Sequence, residues 1–535
     1  MNQQFTATEH TPTRVSDGAP DNERGRDASY SVLFAHPDER RKQATEPSFF
    51  ADLNLGQLVE TISADHERYA LPEFFYEPLH DPAQVDYRHQ VLNDLDREEI
   101  AAAVGAFVDT MREMRDRLSL SADVHDVRQR QRWFLAAAEA YCDAVEQLAI
   151  DLGNVLPGSV ALRGLRTFTV AYGHSPEFVE LKAEIQQLID ELGQVRYTVR
   201  SKGLEITVDH FSEETDLTQE VQETFARFRE NAAKNYGARF LEHADNNQVE
   251  SWILELVAEL NPDLFGRLAQ FCKRHADYLD PTLARFDREI HFYLAYLRYI
   301  EPLKAAGVAF CLPAVSSDSK QVMARGARDV VLTRKLVANG VEVVANDFEL
   351  SGPERILVVT GPNQGGKTTF SRMFGQLHHL AALGLPVPAQ QASLFLPDQM
   401  FSHFEREEDI RSLRSKLEEE LVRIHEILEQ ASERSILIMN ESFGSTTAAD
   451  ALRVGRQVLE RIIELDMICV CVTFVDELSQ LGEGTASMMS TVAADDLTRR
   501  TFRVIRKPAD GLAYAVALAQ RHELGYDQLK RRIAR

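Results

Sequence analysis

One segment of the chain, residues 356–370, constrains the fold more than any other. It reads ILVVTGPNQGGKTTF, an apolar β-forming run followed by the pattern G-x-x-x-x-G-K-[ST] from Gly361 to Thr368. The next residues, TTFSRMFGQLHHLAAL, have the spacing of a helix that closes at Gly384. Glycines let backbone N–H groups close around phosphate oxygens, and the start of a helix adds partial positive charge. The segment therefore predicts a strand, a phosphate-binding loop and a helix.

The expected phosphate ligands are the loop and the first residues of the helix. They are Gly361, Pro362, Asn363, Gln364, Gly365, Gly366, Lys367, Thr368 and Thr369. In loops of this pattern the lysine reaches the β- and γ-phosphates, and the hydroxyl that follows it binds Mg²⁺. We therefore expect ATP and Mg²⁺ as cofactors, with Lys367 on the phosphates and Thr368 on the metal.

A second apolar strand, SILIMNES, ends in Asn440 and Glu441. A P-loop ATPase needs a group that assists Mg²⁺ and a glutamate that polarises water at such a strand end. Asn440 can hydrogen-bond a metal-bound water but carries no charge, and Glu441 is the candidate general base. A third apolar strand, MICVCVTF, follows. Its end holds three residues that could sense the γ-phosphate or have only a structural role: Thr473, Phe474 and Asp476.

Before residue 308 the chain is predominantly helical. IAAAVGAFVDTMREMRDRL has apolar residues three and four apart, which predicts long packed helices. Its expected core positions are Ile100, Val104, Phe107, Met111, Met114 and Leu118. PTLARFDREIHFYLAYLRYI repeats this spacing, with Pro281 in its first turn. Its expected inner face is Leu283, Phe286, Ile290, Leu294 and Leu297.

Between these helices the hydrophobic period changes to two, which predicts a β-hairpin around the turn SKG. The alternating residues are Val195, Tyr197 and Val199 on one side and Leu204, Ile206 and Val208 on the other. Arg196, Arg200 and Lys202 occupy its polar positions and tip. Two interpretations stay open: a solvated face, or a small cationic patch.

Composition restricts the partners. The net charge of −24 argues against a generic nucleic-acid coat, although it permits a local basic surface. No run approaches the ~18 apolar residues of a membrane span, and the first 28 residues lack an apolar core. We therefore expect a disordered N-terminal tail and a cytoplasmic protein without a membrane partner. The five cysteines lack zinc spacing and are expected to be reduced.

Several motifs resemble those of the MutS family of DNA mismatch repair ATPases. TGPNQGGKTTF resembles the family's TGPNMGGKST, and VANDFEL and AALGLPVPAQQASL resemble the segments on either side of it. NESFGSTTAAD lies on D-E-x-G-R-G-T-x-x-x-D, and VTFVDEL lies on A-T-H-Y-x-E-L. EDIRSLRSKLEEEL lies on D-D-L-x-x-G-x-S-T-F-x-x-E-M, which puts Ser415 at the signature serine and Glu420 at the signature glutamate. The resemblance covers most of the chain and is specific from Val308 onward.

The chain also departs from the family. The family's Walker B aspartate is Asn440, its strand-end histidine is Phe474, and its S-T-F reads Ser415-Lys416-Leu417. The N-terminal mismatch-reading and connector domains have no counterpart in these residues. PEFFYEPL contains the F-x-E pattern of mismatch reading, but it precedes the lever helices, and we interpret Phe75 as a core residue.

The resemblance implies an α/β P-loop ATPase head of the ABC-type, MutS-like kind. A long all-α lever region with an inserted β-hairpin clamp would precede it. The expected division is a disordered tail (1–28), a helical core and lever (29–174), a clamp with the hairpin (175–245), returning lever helices (246–307) and the ATPase domain with a C-terminal dimerisation segment (308–535).

By the same resemblance we expect an ATP-dependent DNA-binding homodimer, in which ATP binding and hydrolysis drive head dimerisation and clamp movement. Arg196, Arg200 and Lys202 of the hairpin are the candidate DNA contacts that it implies. The expected activity is weak hydrolysis of ATP to ADP and phosphate. Glu441, Asn440 and Ser415 are its expected catalytic residues, with Thr368 and Asn440 on the metal and Ser415 facing the other subunit's nucleotide. Two alternatives stay open: an ATP-gated protein-interaction scaffold that rarely hydrolyses ATP, and a nucleotide-modifying P-loop enzyme such as a kinase.

Overall fold

The structure, a computed structural model, describes residues 30–36, 44–202, 205–211, 248–405, 416–493, 496–509 and 530. The expected tail, residues 1–28, and nearly all of the expected C-terminal dimerisation segment lie outside the described residues. Within the described residues, helices and one hairpin extend to residue 305, and α/β units follow. The predicted mixed fold is therefore confirmed. No helix in this described part combines the length and apolar content needed to cross a membrane.

In the part of the N-terminal half that the structure describes, helices are interrupted by one hairpin. In chain order the elements are α1 (Phe49–Asp52), α2 (Leu55–Ser63), α3 (Pro72–Tyr76), α4 (Pro82–Leu95), α5 (Glu98–Asp123), α6 (Val127–Gly153), α7 (Val160–Gly173), α8 (Pro176–Gly193), β1 (Tyr197–Lys202), β2 (Glu205–His210), α9 (Gln248–Leu260), α10 (Pro262–Arg274) and α11 (Pro281–Ala305), with a 3₁₀ turn at Glu67–Tyr69. Several of these helices are preceded by a residue whose side chain accepts a hydrogen bond from a free backbone N–H group of the first turn. Ser175 does so for α8 and Asp280 for α11, each followed by a proline.

The long helices pack as the apolar spacing predicts, with one exception. Helix α5 has 26 residues and α6 has 27, so each is roughly 40 Å long. Five of the six expected core residues of α5 are buried, but Leu118 is 38% exposed, so that prediction is wrong. Apolar spacing identifies the inward face of a helix but not how far its neighbours extend along it. Phe75 is fully buried, which confirms its assignment to the core.

Helix α11 is buried on more sides than its apolar spacing predicts. Leu283, Phe286 and Ile290 are buried as expected, whereas Leu294 and Leu297 are only partly buried. Polar residues on other sides of this helix are also buried because distant segments supply partners. Asp287 accepts from Arg115 Nε at 2.8 Å, and Glu289 accepts from the Ser31 hydroxyl at 2.7 Å.

The segment 30–36 is threaded into this helical core and is joined to the α/β half by Arg88. The Arg88 guanidinium donates to the carbonyl of Leu33 at 3.1 Å and to that of Leu383 at 2.7 Å. It also lies 5.4 Å from the ring centre of Phe34 and 5.1 Å from that of Phe292. The Arg88 side chain is almost fully buried. It therefore connects the segment 30–36, the helix that contains Phe292 and the α/β half at Leu383.

The predicted hairpin is present, but two apolar positions of its first strand are exposed. Strands β1 and β2 pair antiparallel, with Val199 opposite Val208. Tyr197 and Val199 are each 43% exposed. Val195 and Val208 are partly buried against the helical core. The alternation therefore predicts the strands correctly, but it does not predict which of its apolar residues are covered.

The C-terminal half contains two sheets, where the sequence indicates only an α/β region. Its elements are β3 (Ala314–Ser316), β4 (Val322–Ala327), α12 (Val330–Ala338), β5 (Asn346–Leu350), β6 (Ile356–Thr360), α13 (Lys367–Ala382), β7 (Gln391–Phe395), β8 (Met400–Phe404), α14 (Lys416–Gln430), β9 (Ile436–Asn440), α15 (Ala448–Glu464), β10 (Ile468–Val472), β11 (Thr485–Ala493) and β12 (Asp496–Arg506), with a 3₁₀ turn at Asp476–Gln480. One sheet has the strand order β12-β11-β6-β10-β9-β8, in which only the β11–β12 pair is antiparallel. The other has the order β3-β7-β4-β5.

Helix α13 lies between the large sheet and the N-terminal helices. Its Gln376 amide donates to the carbonyl of Leu53, and its His379 ring donates to the carbonyl of Phe75, both at 2.9 Å. Burial lowers the pKa of His379 to about 4, so the ring is neutral at pH 7. On the other face of the sheet, Cys469 and Cys471 pack with α14 and α15, and all five cysteines are unpaired thiols. The helix that follows the glycine loop is thus fixed to both halves of the protein.

Candidate nucleotide-binding site

The glycine loop connects the central strand β6 to the start of α13, as predicted. Gly361 and Gly366 have φ angles of 109° and 93°, in the region that side chains disfavour, and Gln364 has a φ of 59°. Pro362 and Gly365 are buried, whereas Asn363 and Gln364 are exposed. Thr368 and Thr369 follow in the first turn of the helix and are half-buried. The backbone of the loop is therefore bent around a concave surface at the carboxyl end of the sheet.

Strand β11 supports this loop from behind. Met489 pairs with Thr360, so the next residue, Ser490, stands beside the start of the loop. The Ser490 hydroxyl donates to the Gly365 carbonyl at 3.0 Å. A Cβ atom on Gly361 would lie 2.7 Å from the Ser490 carbonyl oxygen, and a Cβ on Gly365 would overlap the Ser490 hydroxyl. Both glycines are therefore required by the close approach of β11.

Lys367 is folded back onto the loop. Its ammonium donates to the Gly361 carbonyl at 2.9 Å and to Asn363 Oδ1 at 3.3 Å. The ring centre of Phe474 lies 4.6 Å from Nζ, and only 3% of Lys367 is exposed. This burial lowers the pKa of Lys367, and the charge of Glu441 partly opposes the shift.

Asn440 and Glu441 stand at the end of β9, on the same edge of the sheet. Asn440 is 8% exposed, and its Oδ1 has no hydrogen-bond partner among the residues that the structure describes. Glu441 has a φ of 55°, and its N–H donates to the Val472 carbonyl at 2.9 Å. An L-residue in the left-handed region is strained, and such strain is commonly held at functional sites. The turn directs Glu441 into the same cavity as Lys367.

A cavity of about 490 Å³ extends from the loop toward α12. At one end it is lined by polar residues, namely Gln364, Lys367, Thr368, Thr369 and Glu441. Toward α12 most of the lining is apolar, with Leu332, Leu336, Val341, Val343 and Phe502, and Asp329, Glu342 and Asn346 also line the cavity. A cavity that is polar at the loop and mostly apolar beyond it suits a ligand with a charged and a flat, weakly polar part.

Sequence reasoning missed the residues that β11 and β12 supply. Ser490 supports the loop, Phe502 lines the apolar end, and Arg500 Nε donates to the Asn363 carbonyl at 3.1 Å. They lie more than 120 residues after the loop in the sequence, and no local pattern marks them. Only the pairing of β11 with β6 brings them to the site.

Glu420 also connects to this edge. Its Oε2 accepts from the Phe443 N–H at 3.0 Å, just after Glu441, and burial raises its pKa. Phe443 has a φ of 66°, so the carboxylate holds a strained turn. Ser415, which the sequence also places at this site, lies outside the described residues.

The remaining predicted residues lie at two places. Thr473 directly follows β10, and its hydroxyl accepts from the Val475 N–H at 3.0 Å, while the Phe474 ring lies against the Lys367 ammonium. The candidate DNA residues lie on the hairpin. Arg196 stacks 5.9 Å from the ring centre of Phe211, Arg200 pairs with Asp209 at 3.3 Å, and Lys202 ends β1.

The mainly parallel sheet carries a strand, a glycine loop and a helix in succession, and a further strand of the same sheet is followed directly by a glutamate. These features define a P-loop nucleotide-binding domain. Residues 357–521 match the family model of MutS domain V. The comparisons with known proteins thus place the match on the part of the chain that contains the glycine loop.

Individual relatives match the same part. A DNA mismatch repair protein MutS from Erythrobacter litoralis is 34% identical over 186 residues, or 35% of this chain and 21% of that protein. Endonuclease MutS2 from Thermus thermophilus is 28% identical over 227 residues, or 40% of this chain and 30% of that protein. A MutS from Halalkalibacterium halodurans is 26% identical over 272 residues, or 50% of this chain and 30% of that protein. The chain thus spans less than a third of the length of these relatives. Its resemblance to the MutS family is confirmed over its C-terminal part.

Proposed function

We propose that this chain is an ATP-dependent DNA-binding protein of the MutS type, in which the loop 361–369 binds ATP with Mg²⁺. The observation that carries the proposal is the glycine loop bent around one end of the 490 Å³ cavity, within the region that matches MutS domain V. The loop's closeness to β11 leaves no room for side chains at Gly361 and Gly365, as expected where backbone N–H groups face phosphates.

The residues at the site fit a metal-bound nucleotide. Lys367 provides the mobile cation for the β- and γ-phosphates, and Thr368 provides the hydroxyl for Mg²⁺. Asn440 Oδ1, buried and without a partner among the described residues, is available to a metal-bound water. The apolar end near Phe502 would hold the base. Bound ATP would supply the phosphoryl group, and Mg²⁺ would partly neutralise its charge. Glu441 would accept a proton from the attacking water.

DNA is proposed as the partner, with the hairpin β1–β2 as the clamp and α5, α6 and α11 among the lever helices. Charge reversal of Arg196, Arg200 and Lys202 to Glu should weaken DNA binding and flatten its dependence on salt. The matched control reverses Arg132, Lys273 and Arg298, which are exposed on helices and give the same change in net charge. If both triple variants bind DNA alike, the hairpin does not contact phosphates.

We further propose that two copies share their nucleotide sites, with Ser415 of one copy approaching the phosphates bound by the other. Ser415→Arg should block closure of the heads, and Lys367→Ala should prevent nucleotide binding. A mixture of the two variants retains one intact composite site in each mixed dimer, so part of the hydrolysis should return. An inactive mixture in which mixed dimers demonstrably form would argue against independent composite sites.

A second candidate function is an ATP-gated protein-interaction scaffold that rarely hydrolyses ATP. Asn440 adds no charge at the metal, and Phe474 offers no hydrogen bond to a phosphate; both favour this candidate. Turnover measured with and without DNA separates the two functions. DNA-stimulated release of phosphate supports the ATPase, whereas ATP binding without release of phosphate under either condition supports the scaffold.

A further inference from the structure

Asn363, in the middle of the glycine loop, lies between two cationic side chains. Its side-chain oxygen accepts from the Lys367 ammonium at 3.3 Å, and its main-chain oxygen accepts from Arg500 Nε at 3.1 Å. Lysines of such loops reach the β- and γ-phosphates, so Lys367 marks the end of the loop that faces the terminal phosphate. Arg500 is therefore held at that same end, by the residue that also holds the lysine.

Arg500 belongs to β12, which runs along the loop on the side away from β10. Phe502 follows Arg500 by two residues, in a stretch of β12 where the pairing register with β11 shifts and Phe502 has a φ of 58°. Phe502 lines the cavity, and its carbonyl oxygen would lie 3.4 Å from a Cβ atom on Gly366. Asn346 accepts from the Val504 N–H at 2.7 Å and further fixes this strand. This stretch of β12 thus brings Phe502 to the cavity and the Arg500 guanidinium to the loop.

On the side of β10, Lys367 contacts an aromatic ring. Phe474, at the end of β10, presents a carbon ring to Lys367 at 4.6 Å. Among the causes that lower the pKa of Lys367, burial is the largest, and the positive charge of Arg500 adds to it. The two cations are thus close enough to interact, and a bound polyphosphate would relieve that repulsion.

We propose that Arg500 is a second phosphate-binding cation, which contacts the terminal phosphate of the bound nucleotide from within the same chain. The proposal rests on the function proposed above, because it assumes that the loop binds ATP. A guanidinium suits this role since its planar set of donors pairs with two phosphate oxygens at once. In phosphoryl transfer an arginine supplied in the same chain stabilises the charge that develops on the transferred group.

The test compares equilibrium binding of ATP and ADP, each with Mg²⁺, to wild type, Arg500→Gln, Arg500→Lys and the control Arg503→Gln. Arg503 is an exposed arginine on the same strand, three residues away. Losing hydrogen bonds from a charged group should weaken ATP binding by Arg500→Gln about thirtyfold and change ADP binding less than about twofold. Arg500→Lys should keep part of the preference for ATP, and Arg503→Gln should match wild type.

The outcomes separate this inference from the function on which it rests. If wild type binds neither nucleotide, the proposed ATP site is wrong. If wild type binds both and Arg500→Gln weakens ATP and ADP equally, Arg500 only supports the loop, and the inference fails while the proposed function stands. Unchanged binding of both nucleotides by Arg500→Gln overturns the inference as well.

Discussion

Replacement of Gly365 by alanine should move the glycine loop away from β11. The added Cβ would overlap the Ser490 hydroxyl and lie 2.9 Å from the Pro362 carbonyl oxygen, closer than real contacts of this kind. Overpacking of a tight site costs about 1–3 kcal/mol, and the lost Ser490–Gly365 hydrogen bond costs about 1 kcal/mol more. If bound ATP requires the undisplaced loop, this total of about 2–4 kcal/mol lowers ATP affinity about 30- to 1,000-fold.

A double-mutant cycle with Ser490→Ala tests this reasoning. Ser490→Ala alone removes one hydrogen bond and should weaken ATP binding about fivefold, or ~1 kcal/mol. Because it also removes the atom that Gly365→Ala would strike, the double variant should bind more tightly than additive effects predict, by at least about 1 kcal/mol. It should not regain wild-type affinity, because the contact with Pro362 remains.

The assay is titration with a fluorescent ATP analogue, with unfolding by urea as a check that each variant is folded. Wild-type affinity in Gly365→Ala would refute the proposed closeness of loop and strand. Strictly additive effects in the cycle would show that Ser490 is not the residue that Gly365 must avoid.

Three further perturbations follow from the structure. Arg88→Met should lower the free energy of unfolding, measured in urea, by about 3–5 kcal/mol, because two hydrogen bonds from a charged group and two ring contacts are lost. A decrease below ~1 kcal/mol would contradict the stabilising contacts that we assign to Arg88. Burial lowers the pKa values of His378 and His379 to about 4. Below pH 6.5 these two side chains therefore bind protons in the unfolded chain but stay neutral in the folded chain until the pH approaches 4. The free energy of unfolding should therefore fall from pH 7 to pH 5 by about 2 kcal/mol per histidine, and a flat urea profile over this range would refute their neutral burial. Glu441→Gln should bind ATP within about threefold of wild type but lose single-turnover hydrolysis; hydrolysis at the wild-type rate would exclude Glu441 as the base.

The site could be predicted from the sequence where its chemistry is local. Gly361 to Thr369 form one continuous pattern, and Asn440 and Glu441 follow an apolar strand, so the residues themselves indicate their places. The supporting residues could not be found in this way. Ser490, Arg500 and Phe502 lie on β11 and β12, and their closeness to the loop depends on strand order and register, which no local spacing encodes.

The helical half shows the same division. Apolar spacing predicts α5 and α11 and most of their inward residues. It does not predict that Asp287 and Glu289 are buried, because their partners, Arg115 and Ser31, are far away in the sequence. It also misses the exposure of Tyr197 and Val199, since alternation predicts strands but not what covers them.

Equilibrium binding of Mg²⁺–ATP tests the central claim most directly. Wild type should bind one ATP per chain saturably, and Lys367→Ala should bind it about a hundredfold more weakly, because the mobile cation of the loop is lost. Lys304→Ala, at an exposed position of α11, is the matched control and should behave as wild type. Saturable binding that depends on Lys367 but not on Lys304 is the result that the proposed site predicts. The absence of saturable binding to wild type, or equal affinity in Lys367→Ala, would contradict it.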